Sequence, residues 1–243
     1  MIHITFHIEY RTTWGEELRV LGSVPELGNF TVEDGFPLQT NDGIHWYGTV
    51  AINSSETDKI HYYYSIVKNR QLVTEEWKMF PRYIQVENGQ RIYHTYDQWK
   101  MVSGQLHFYS SAFTECLMAR HGESAPLAHY NKELTIKVHC PRVHSDYALG
   151  ICGNQDVLGN WDTEKAVILN DRNAPEWQVN LNASSLRFPL EYKFALINLK
   201  THQVEAWEIH DNRYVNHLEI TDNETIILAD HYAYFDQPQW KGA

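Results

Sequence analysis

The chain has 243 residues, of which 20 are Lys or Arg and 31 are Asp or Glu, so its net charge is −11. A nucleic-acid partner normally requires a basic face that displaces counterions, and no cluster of Lys and Arg is present, so no nucleic-acid binding is expected. Hydrophobic residues make up 43% of the chain, which is enough for a buried core. No apolar run approaches the roughly 20 residues that span a bilayer, so no membrane partner is expected.

The amino terminus and the cysteines indicate the compartment. Residues 1–6 lack the basic-then-apolar order of a signal peptide and alternate like a strand. The three cysteines, Cys116, Cys140 and Cys152, form an odd set without a CxxC pair. Such a set predicts reduced thiols and a cytoplasmic location, and it makes a thiolate zinc site improbable.

The predicted elements are short β-strands from the first residues onwards. Ile2, Ile4, Phe6 and Ile8 alternate with polar residues, which is the period of a strand with one buried face. Turn signals such as Asn-Asp-Gly at 41–43 and Glu-Asn-Gly at 87–89 separate the strands that follow. These strands are predicted at 18–22, 46–52, 60–67, 84–86 and 91–96. Many short strands without a long helical period predict an all-β sandwich or barrel.

The chain repeats itself at an offset of about 131 residues. Leu-Gly-Asn-Phe at 27–30 returns as Leu-Gly-Asn-Trp at 158–161, and Gly22 returns as Gly153. Trp46 returns as Trp177, and Trp77 pairs with Trp207 at an offset of 130. The alternation of the first strand also returns, at 134–138. These landmarks predict a duplicated domain of about 100 residues.

The phrase Gly-Ser-Val-Pro-Glu-Leu-Gly-Asn-Phe at 22–30 resembles the signature of starch-binding domains, carbohydrate-binding module family 20. The second repeat is similar as well, with Glu-Tyr-Lys-Phe at 191–194 and Trp-Glu-Ile-His-Asp-Asn-Arg at 207–213. The resemblance implies two immunoglobulin-like antiparallel β-sandwich modules in tandem. The expected bounds are module 1 at 1–99, a connector at 100–131, module 2 at 132–235, and the start of a further linker at 236–243.

Two such modules in tandem also resemble the amino-terminal part of 4-α-glucanotransferases, the disproportionating enzymes of glycoside hydrolase family 77. This resemblance implies that the chain is a fragment that lacks the catalytic barrel and targets an attached glucanotransferase to its polysaccharide. The full-length enzyme could then form a homo-oligomer. The expected partner is an α-1,4-glucan, such as starch, glycogen or a maltooligosaccharide.

The resemblance implies a first type of sugar site in the second repeat. Trp161 and Trp207 would stack on glucose rings, while Lys193, Glu208 and Asn212 would bind hydroxyl groups. The alternative is that both tryptophans belong to the core, but polar neighbours favour exposure.

The first repeat departs from this pattern. Phe30 replaces the first Trp, Tyr63 replaces the Lys, and Lys78 replaces the Glu, while Trp77 is aligned with the second Trp. One residue is missing around Pro81, and with it the Asn. Whether Phe30, Tyr63 and Trp77 still bind sugar therefore stays an open question.

The family's second type of sugar site uses an aromatic residue before the second strand and the Trp of a middle strand. The first repeat matches with Trp14 and Trp46, whereas the second has Ser145 and Trp177. A core role is a stronger alternative for Trp46 and Trp177, because each opens a strand.

No catalytic or metal-binding pattern stands out, and no cofactor is expected. His3 and His7 would lie about 13 Å apart on one strand face, too far to share an ion. The acidic residues are dispersed and do not form an evident glycosidase pair. Glucan binding without catalysis is the leading interpretation. Glucan cleavage by the chain itself is one alternative. The other is a protein-interaction or assembly module that has lost the sugar site of module 1.

Overall fold

The computed structural model describes residues 1–53, 58–78, 81–101, 110, 120 and 124–236. The chain forms two compact units: unit 1 comprises Met1–Ser103 and Thr221–Ala229, and unit 2 comprises Gly104–Ile220 and Asp230–Ala243. The sequence-based bounds of the two modules and of the connector remain a prediction. Among the described residues, no helix has the length and apolar character that a membrane span requires.

Unit 1 is built from the strands of the first repeat and the start of the last strand of the chain. The strands of the first repeat are β1 Ile2–Glu9, β2 Glu16–Gly22, β3 Phe36–Pro37, β4 Gln39–Thr40, β5 His45–Ile52, β6 Lys59–Lys68, β7 Gln71–Glu75, β8 Arg82–Gln85 and β9 Ile92–Gln98, with a 3₁₀ turn at Pro25–Phe30. One sheet has the order β4-β5-β1-β9, and the other has the order β3-β2-β6-β7, with β8 also paired to β6.

The core of unit 1 lies between these two sheets. Alternate residues of β1 point inwards, so that Ile4 and Phe6 are fully buried. They pack with residues of the opposite sheet, including Leu18, Tyr62 and Tyr64. The two-residue period of β1 therefore corresponds to one buried face of the strand, as the sequence predicts.

Unit 2 repeats this architecture. Its strands are β10 Lys132–His139, β11 Tyr147–Gly153, β12 Val167–Ile168, β13 Asn170–Asn173, β14 Glu176–Asn182, β15 Leu190–Asn198, β16 Val204–Trp207 and β17 Arg213–Val215; 3₁₀ turns lie at Asp156–Trp161, Thr163–Lys165 and Ala183–Ser185. One sheet contains β13-β14-β10 and the other has the order β12-β11-β15-β16, with β17 also paired to β15. The last strand, β18 Glu224–Tyr232, starts in unit 1, where it runs parallel to β9.

The predicted all-β sandwich fold is confirmed in both repeats. Each repeat pairs its second strand with its long middle strand in antiparallel register, Gly22 opposite Tyr62 and Gly153 opposite Tyr192. Each of these glycines lets a backbone approach closely. A Cβ on Gly153 would lie 2.4 Å from the carbonyl oxygen of Glu191.

Candidate functional site

A left-handed turn presents the aromatic residue of the Leu-Gly-Asn-Trp phrase in unit 2. Gly159, Asn160 and Trp161 have φ values of 79°, 50° and 63°. A side chain at Gly159 would meet the carbonyl oxygen of Lys165 at 2.9 Å, so glycine is required there. Left-handed backbone at a residue with a bulky side chain costs free energy and is typical of functional sites. The turn thus holds Trp161 at the surface with the ring half-buried.

Unit 1 has the same turn. Gly28, Asn29 and Phe30 have φ values of 75°, 47° and 65°. A Cβ at Gly28 would lie 2.6 Å from the carbonyl carbon of Asp34. The shared phrase therefore encodes a backbone shape that positions one aromatic ring in each repeat.

Trp161 and Trp207 form an aromatic pair at the surface of unit 2. Their ring centroids are 6.5 Å apart and their planes are tilted by 60°. Trp207 is 37% exposed, although it terminates strand β16. It lies opposite Ala195 on β15, and Lys193 occupies the same face two residues earlier. The structure therefore brings three of the predicted ligand residues, Trp161, Trp207 and Lys193, to one side of the sheet.

The carboxylate of Glu208 is turned away from this surface. Its side chain is 0% exposed, and it accepts a hydrogen bond from the backbone N–H of Phe194 at 2.9 Å. Arg213 donates to both of its oxygens and reaches one of them at 2.8 Å. Glu208 is therefore a buried structural carboxylate, and its side chain is not available to sugar hydroxyls. This corrects the expectation that the Glu208 side chain binds a sugar hydroxyl directly.

Asn212 lies beside two residues that the sequence-based interpretation missed, Glu191 and Tyr214. The amide nitrogen of Asn212 donates to Oε1 of Glu191 at 2.6 Å, and the Tyr214 hydroxyl donates to the same oxygen at 2.8 Å. These two hydrogen bonds, first that of Asn212 and then that of Tyr214, lower the pKa of the Glu191 carboxyl. Strand alternation could have indicated the face of Glu191, because it stands two residues before Lys193.

The hairpin after the middle strand has different lengths in the two repeats. Ser65 pairs with Glu75, whereas the equivalent Ala195 pairs with Trp207. Glu75 therefore occupies the position of Trp207, and Trp77 lies two residues further along the chain. The pairing of Trp77 with Trp207 at an offset of 130 is wrong, because it assumes hairpins of equal length.

The buried carboxylates confirm this new register. The N–H of Tyr64 donates to Glu76, as that of Phe194 donates to Glu208. Arg82 donates to Glu76, which matches the Arg213–Glu208 pair of unit 2. Glu76, and not Lys78, is thus the counterpart of Glu208.

In unit 1, the side chains at the remaining predicted ligand positions pack against one another. Phe30 is 42% exposed and stacks on Tyr63, with a centroid distance of 5.8 Å and an interplanar angle of 8°. The ammonium group of Lys78 lies 5.3 Å from the centroid of the Tyr63 ring and 2.7 Å from Oε1 of Glu75. Because Tyr63 is only 6% exposed, its ring is not an open platform.

Trp14 and Trp46 have different roles in unit 1. Trp14 is 97% exposed, in the loop before β2. Trp46 is buried, and its indole N–H donates to the carbonyl of Tyr10 at 3.1 Å. Trp46 therefore anchors the base of the loop that carries Trp14. Its ring does not form an exposed platform, which corrects the expectation of direct stacking.

Trp177 is a core residue of unit 2. It is 1% exposed, and its indole N–H donates to the carbonyl of Cys140 at 3.0 Å. The guanidinium of Arg120 lies 4.5 Å from the ring centroid and pairs with Asp171. Trp177 is thus covered on all sides, so the expectation that it stacks directly on a sugar is also corrected.

Cys140 and Cys152 are free thiols in the interior, and Cys116 lies outside the described residues. Within the ranges that the structure describes, no three His, Cys, Asp or Glu side chains come together as a metal site would require.

The family is decided by a sequence comparison. The model of the starch-binding domain family, carbohydrate-binding module family 20, matches residues 1–96 and again residues 133–226. The chain belongs to the starch-binding domain family. The two matches are separated in the same way as the two repeats, so each repeat is one starch-binding domain. Family membership supports carbohydrate binding as the general function.

One relative can be aligned with the whole of this chain. The chain is 26% identical over 259 residues to 4-alpha-glucanotransferase DPE2 of Oryza sativa subsp. japonica. The alignment covers 100% of this starch-binding chain but only 27% of the rice protein. The chain therefore spans about a quarter of the length of this relative.

Solved structures with similar segments include a family 20 module and a glucoamylase. The family 20 module of a maltotetraose-forming amylase from Pseudomonas saccharophila STB07 is 15% identical with a TM-score of 0.33, and the match covers 40% of this chain and 100% of that one. A glucoamylase from Hormoconis resinae is 28% identical with a TM-score of 0.34, over 43% of this chain and 18% of that one. Similarities at these TM-scores do not identify a shared function.

Proposed function

We propose that the chain binds α-1,4-glucan through the Trp161–Trp207 pair of the second starch-binding domain. The observation that carries this proposal is the pair itself, two surface indoles 6.5 Å apart and tilted by 60°. A glucose unit presents an apolar C–H face that stacks on an aromatic ring. Because an α-1,4-glucan curves, two tilted rings fit successive glucose units better than two coplanar rings would.

Polar groups at the rim of the pair would orient the sugar. Lys193 lies on the face of β15 that adjoins Trp207, and its ammonium group can donate to hydroxyl oxygens. Asn212 is half-buried and close to the same strand through Glu191. A few polar groups around an aromatic surface are what a small-molecule site requires for specificity.

The carboxylates near this surface favour binding over cleavage. A glycosidase requires one carboxylic acid with a raised pKa and a second carboxylate across the scissile bond. The Glu208 carboxylate is buried against Arg213, and the pKa of Glu191 is lowered by its hydrogen bonds. Neither group suits a general acid, so we propose that the chain itself does not cleave glucan.

The first domain would add a weaker contact through Trp14. Its ring is almost fully exposed, so it can stack on a long glucan that is already held by the second domain. Linking two weak contacts raises the overall affinity, because the second contact becomes intramolecular. The similarity to DPE2 supports a role in bringing an attached glucanotransferase to its polysaccharide. We propose a cytoplasmic location for this role, on the ground of the sparse, unpaired cysteines.

Co-sedimentation of the 243-residue chain with granular starch tests the proposal. We expect the wild-type chain to bind and the W161A/W207A variant to lose at least tenfold in affinity. Y47A is a matched control, because Tyr47 is 41% exposed but lies on β5 of unit 1. An equal loss in Y47A, or undiminished binding of W161A/W207A, would overturn the proposal. A reducing-sugar assay of the same samples should detect no cleavage.

A further inference from the structure

Three side chains of unit 2 form a hydrogen-bonded group next to the aromatic pair. Glu191 projects from β15, and Tyr214 lies directly opposite it on β17. Residues paired across two strands project to the same face, and Lys193 projects to that face as well. Asn212 precedes β17 and donates to Oε1 of Glu191 at 2.6 Å, while the Tyr214 hydroxyl donates at 2.8 Å.

The chemistry of Glu191 fixes the orientation of the Asn212 carboxamide. An ionised carboxylate can only accept hydrogen bonds, so the NH₂ group of the amide must face it. A flipped amide would place two oxygens, one of them charged, against each other. The amide oxygen of Asn212 must therefore point away from Glu191, where it can accept a hydrogen bond from another group.

We propose that Glu191 and Tyr214 are positioning residues that hold Asn212 with its amide oxygen, and not its nitrogen, available to a hydroxyl group of the bound glucan. This inference rests on the proposed function. It adds that recognition at Asn212 requires a sugar hydroxyl that donates. Tyr214 contributes by sharing the same oxygen of Glu191, which limits the rotation of that carboxylate.

Unit 1 lacks this device at the equivalent positions. His61 replaces Glu191, and it lies opposite Tyr83, the counterpart of Tyr214. Pro81 precedes Arg82 where Asn212 precedes Arg213, so Pro81 replaces the Asn. The expectation that a residue is missing around Pro81 is wrong, because the segment from Glu76 to Arg82 is one residue longer than that from Glu208 to Arg213. With no carboxylate and no amide at these positions, unit 1 does not present an oriented acceptor there. This difference agrees with the altered ligand positions around Phe30 in the same unit.

The hydrogen bonds from Asn212 and Tyr214 dominate the pKa of the Glu191 carboxyl. Lys193 is on its own strand, Asp211 is in the loop before β17, and the neutral Asn154 contacts the backbone of Glu191 from the end of β11. Tyr214 has a raised pKa, chiefly because of its hydrogen bond to Glu191. Asn212 should therefore lose its fixed orientation only when Glu191 is protonated. This happens at a pH below the usual pKa of a glutamate, because the pKa of Glu191 is lowered.

Isothermal titration of the full chain with a cyclic maltoheptaose measures the effect of Glu191. We expect E191A to bind about five- to tenfold more weakly, because the amide becomes free to rotate. E191Q should bind within about threefold of wild type, because the glutamine oxygen still accepts both hydrogen bonds. Y214F should weaken binding about two- to threefold. Wild-type affinity for E191A would overturn the proposal.

An exchange of the donor and acceptor roles provides the sharpest test. N212D places two carboxylates together, so its affinity at pH 7 should fall more than about tenfold and should rise as the pH falls and the pair shares a proton. In E191Q/N212D the glutamine NH₂ can donate to the aspartate, so affinity should return and lose its pH dependence. Absence of this rescue would overturn the proposal. If the wild-type chain did not bind the sugar at all, the proposed function itself would fail.

Discussion

Replacing Trp207 and Trp177 by alanine in separate variants distinguishes a ligand platform from a core residue. Trp207 is 37% exposed at the surface of unit 2, whereas Trp177 is 1% exposed in its interior. The same chemical change should therefore affect different properties. W207A should lose affinity for glucan, and W177A should lose stability.

The expected loss of affinity follows from the area that the ligand would cover. A tryptophan offers roughly 250 Å², so the exposed third of Trp207 amounts to about 90 Å². At about 25 cal/mol per Å², covering this area contributes about 2 kcal/mol. That value corresponds to a loss of about 30-fold in affinity for a cyclic maltoheptaose. It agrees with the contribution of about 2 kcal/mol that defines a strong aromatic contact at an interface.

The expected loss of stability is larger for Trp177. Removal of a buried tryptophan leaves a cavity and costs about 3–5 kcal/mol. It also deprives the Cys140 carbonyl of its hydrogen bond and uncovers the Arg120 guanidinium. In a domain of about 100 residues this corresponds to a decrease of more than about 10 °C in melting temperature. For W207A we expect a change of only a few degrees.

Two assays on each variant separate the effects: calorimetric titration with cyclic maltoheptaose and thermal unfolding monitored by circular dichroism. W207A should unfold close to the wild-type temperature and bind about 30-fold more weakly. The reasoning is refuted if W207A unfolds as early as W177A, because Trp207 would then be a core residue. It is equally refuted if W207A keeps the wild-type affinity.

Three further predictions concern the turn, the thiols and the first domain. G159A should be destabilised by at least about 1 kcal/mol. It should also bind sugar more weakly, because Trp161 is displaced. An unchanged melting temperature together with an unchanged affinity for sugar would contradict this. Because burial raises the pKa of the Cys140 thiol to about 12, this thiol should resist a chromogenic reagent in the folded chain, and denatured protein should give three thiols without reduction. W14A should bind soluble starch several-fold more weakly at unchanged affinity for cyclic maltoheptaose; equal starch affinity would argue against a contact by Trp14.

Much of the fold follows from the sequence, because its signals are local. The alternation of Ile4 and Phe6 with polar residues predicts β1, and the repeated Leu-Gly-Asn phrase predicts a turn that the backbone angles of Gly28 and Gly159 explain. The resemblance to the family and the local polarity predict an exposed Trp207, which is 37% exposed, although its neighbour Glu208 is buried.

The register of the hairpins could not be predicted, because it depends on pairing across strands. The hairpin after β15 is two residues longer than its counterpart after β6, so the match of Trp77 with Trp207 by residue type was misleading. The pairing of Ser65 with Glu75 shows that unit 1 has an acidic residue in place of the second tryptophan, and the equivalent hydrogen bonds of Glu76 and Glu208 agree with it. The burial of Trp46 and Trp177 likewise depends on distant groups, Tyr10 and Cys140, that accept from their indoles.

The central claim is that the second domain alone carries a complete aromatic site, because Glu75 stands where Trp207 would be needed in the first domain. The stoichiometry of cyclic maltoheptaose binding to the full chain, measured by isothermal titration calorimetry, tests this claim most directly. We predict one sugar per chain and no measurable binding by W161A/W207A. Two equivalent sites per chain, or one site that survives in W161A/W207A, would contradict the account.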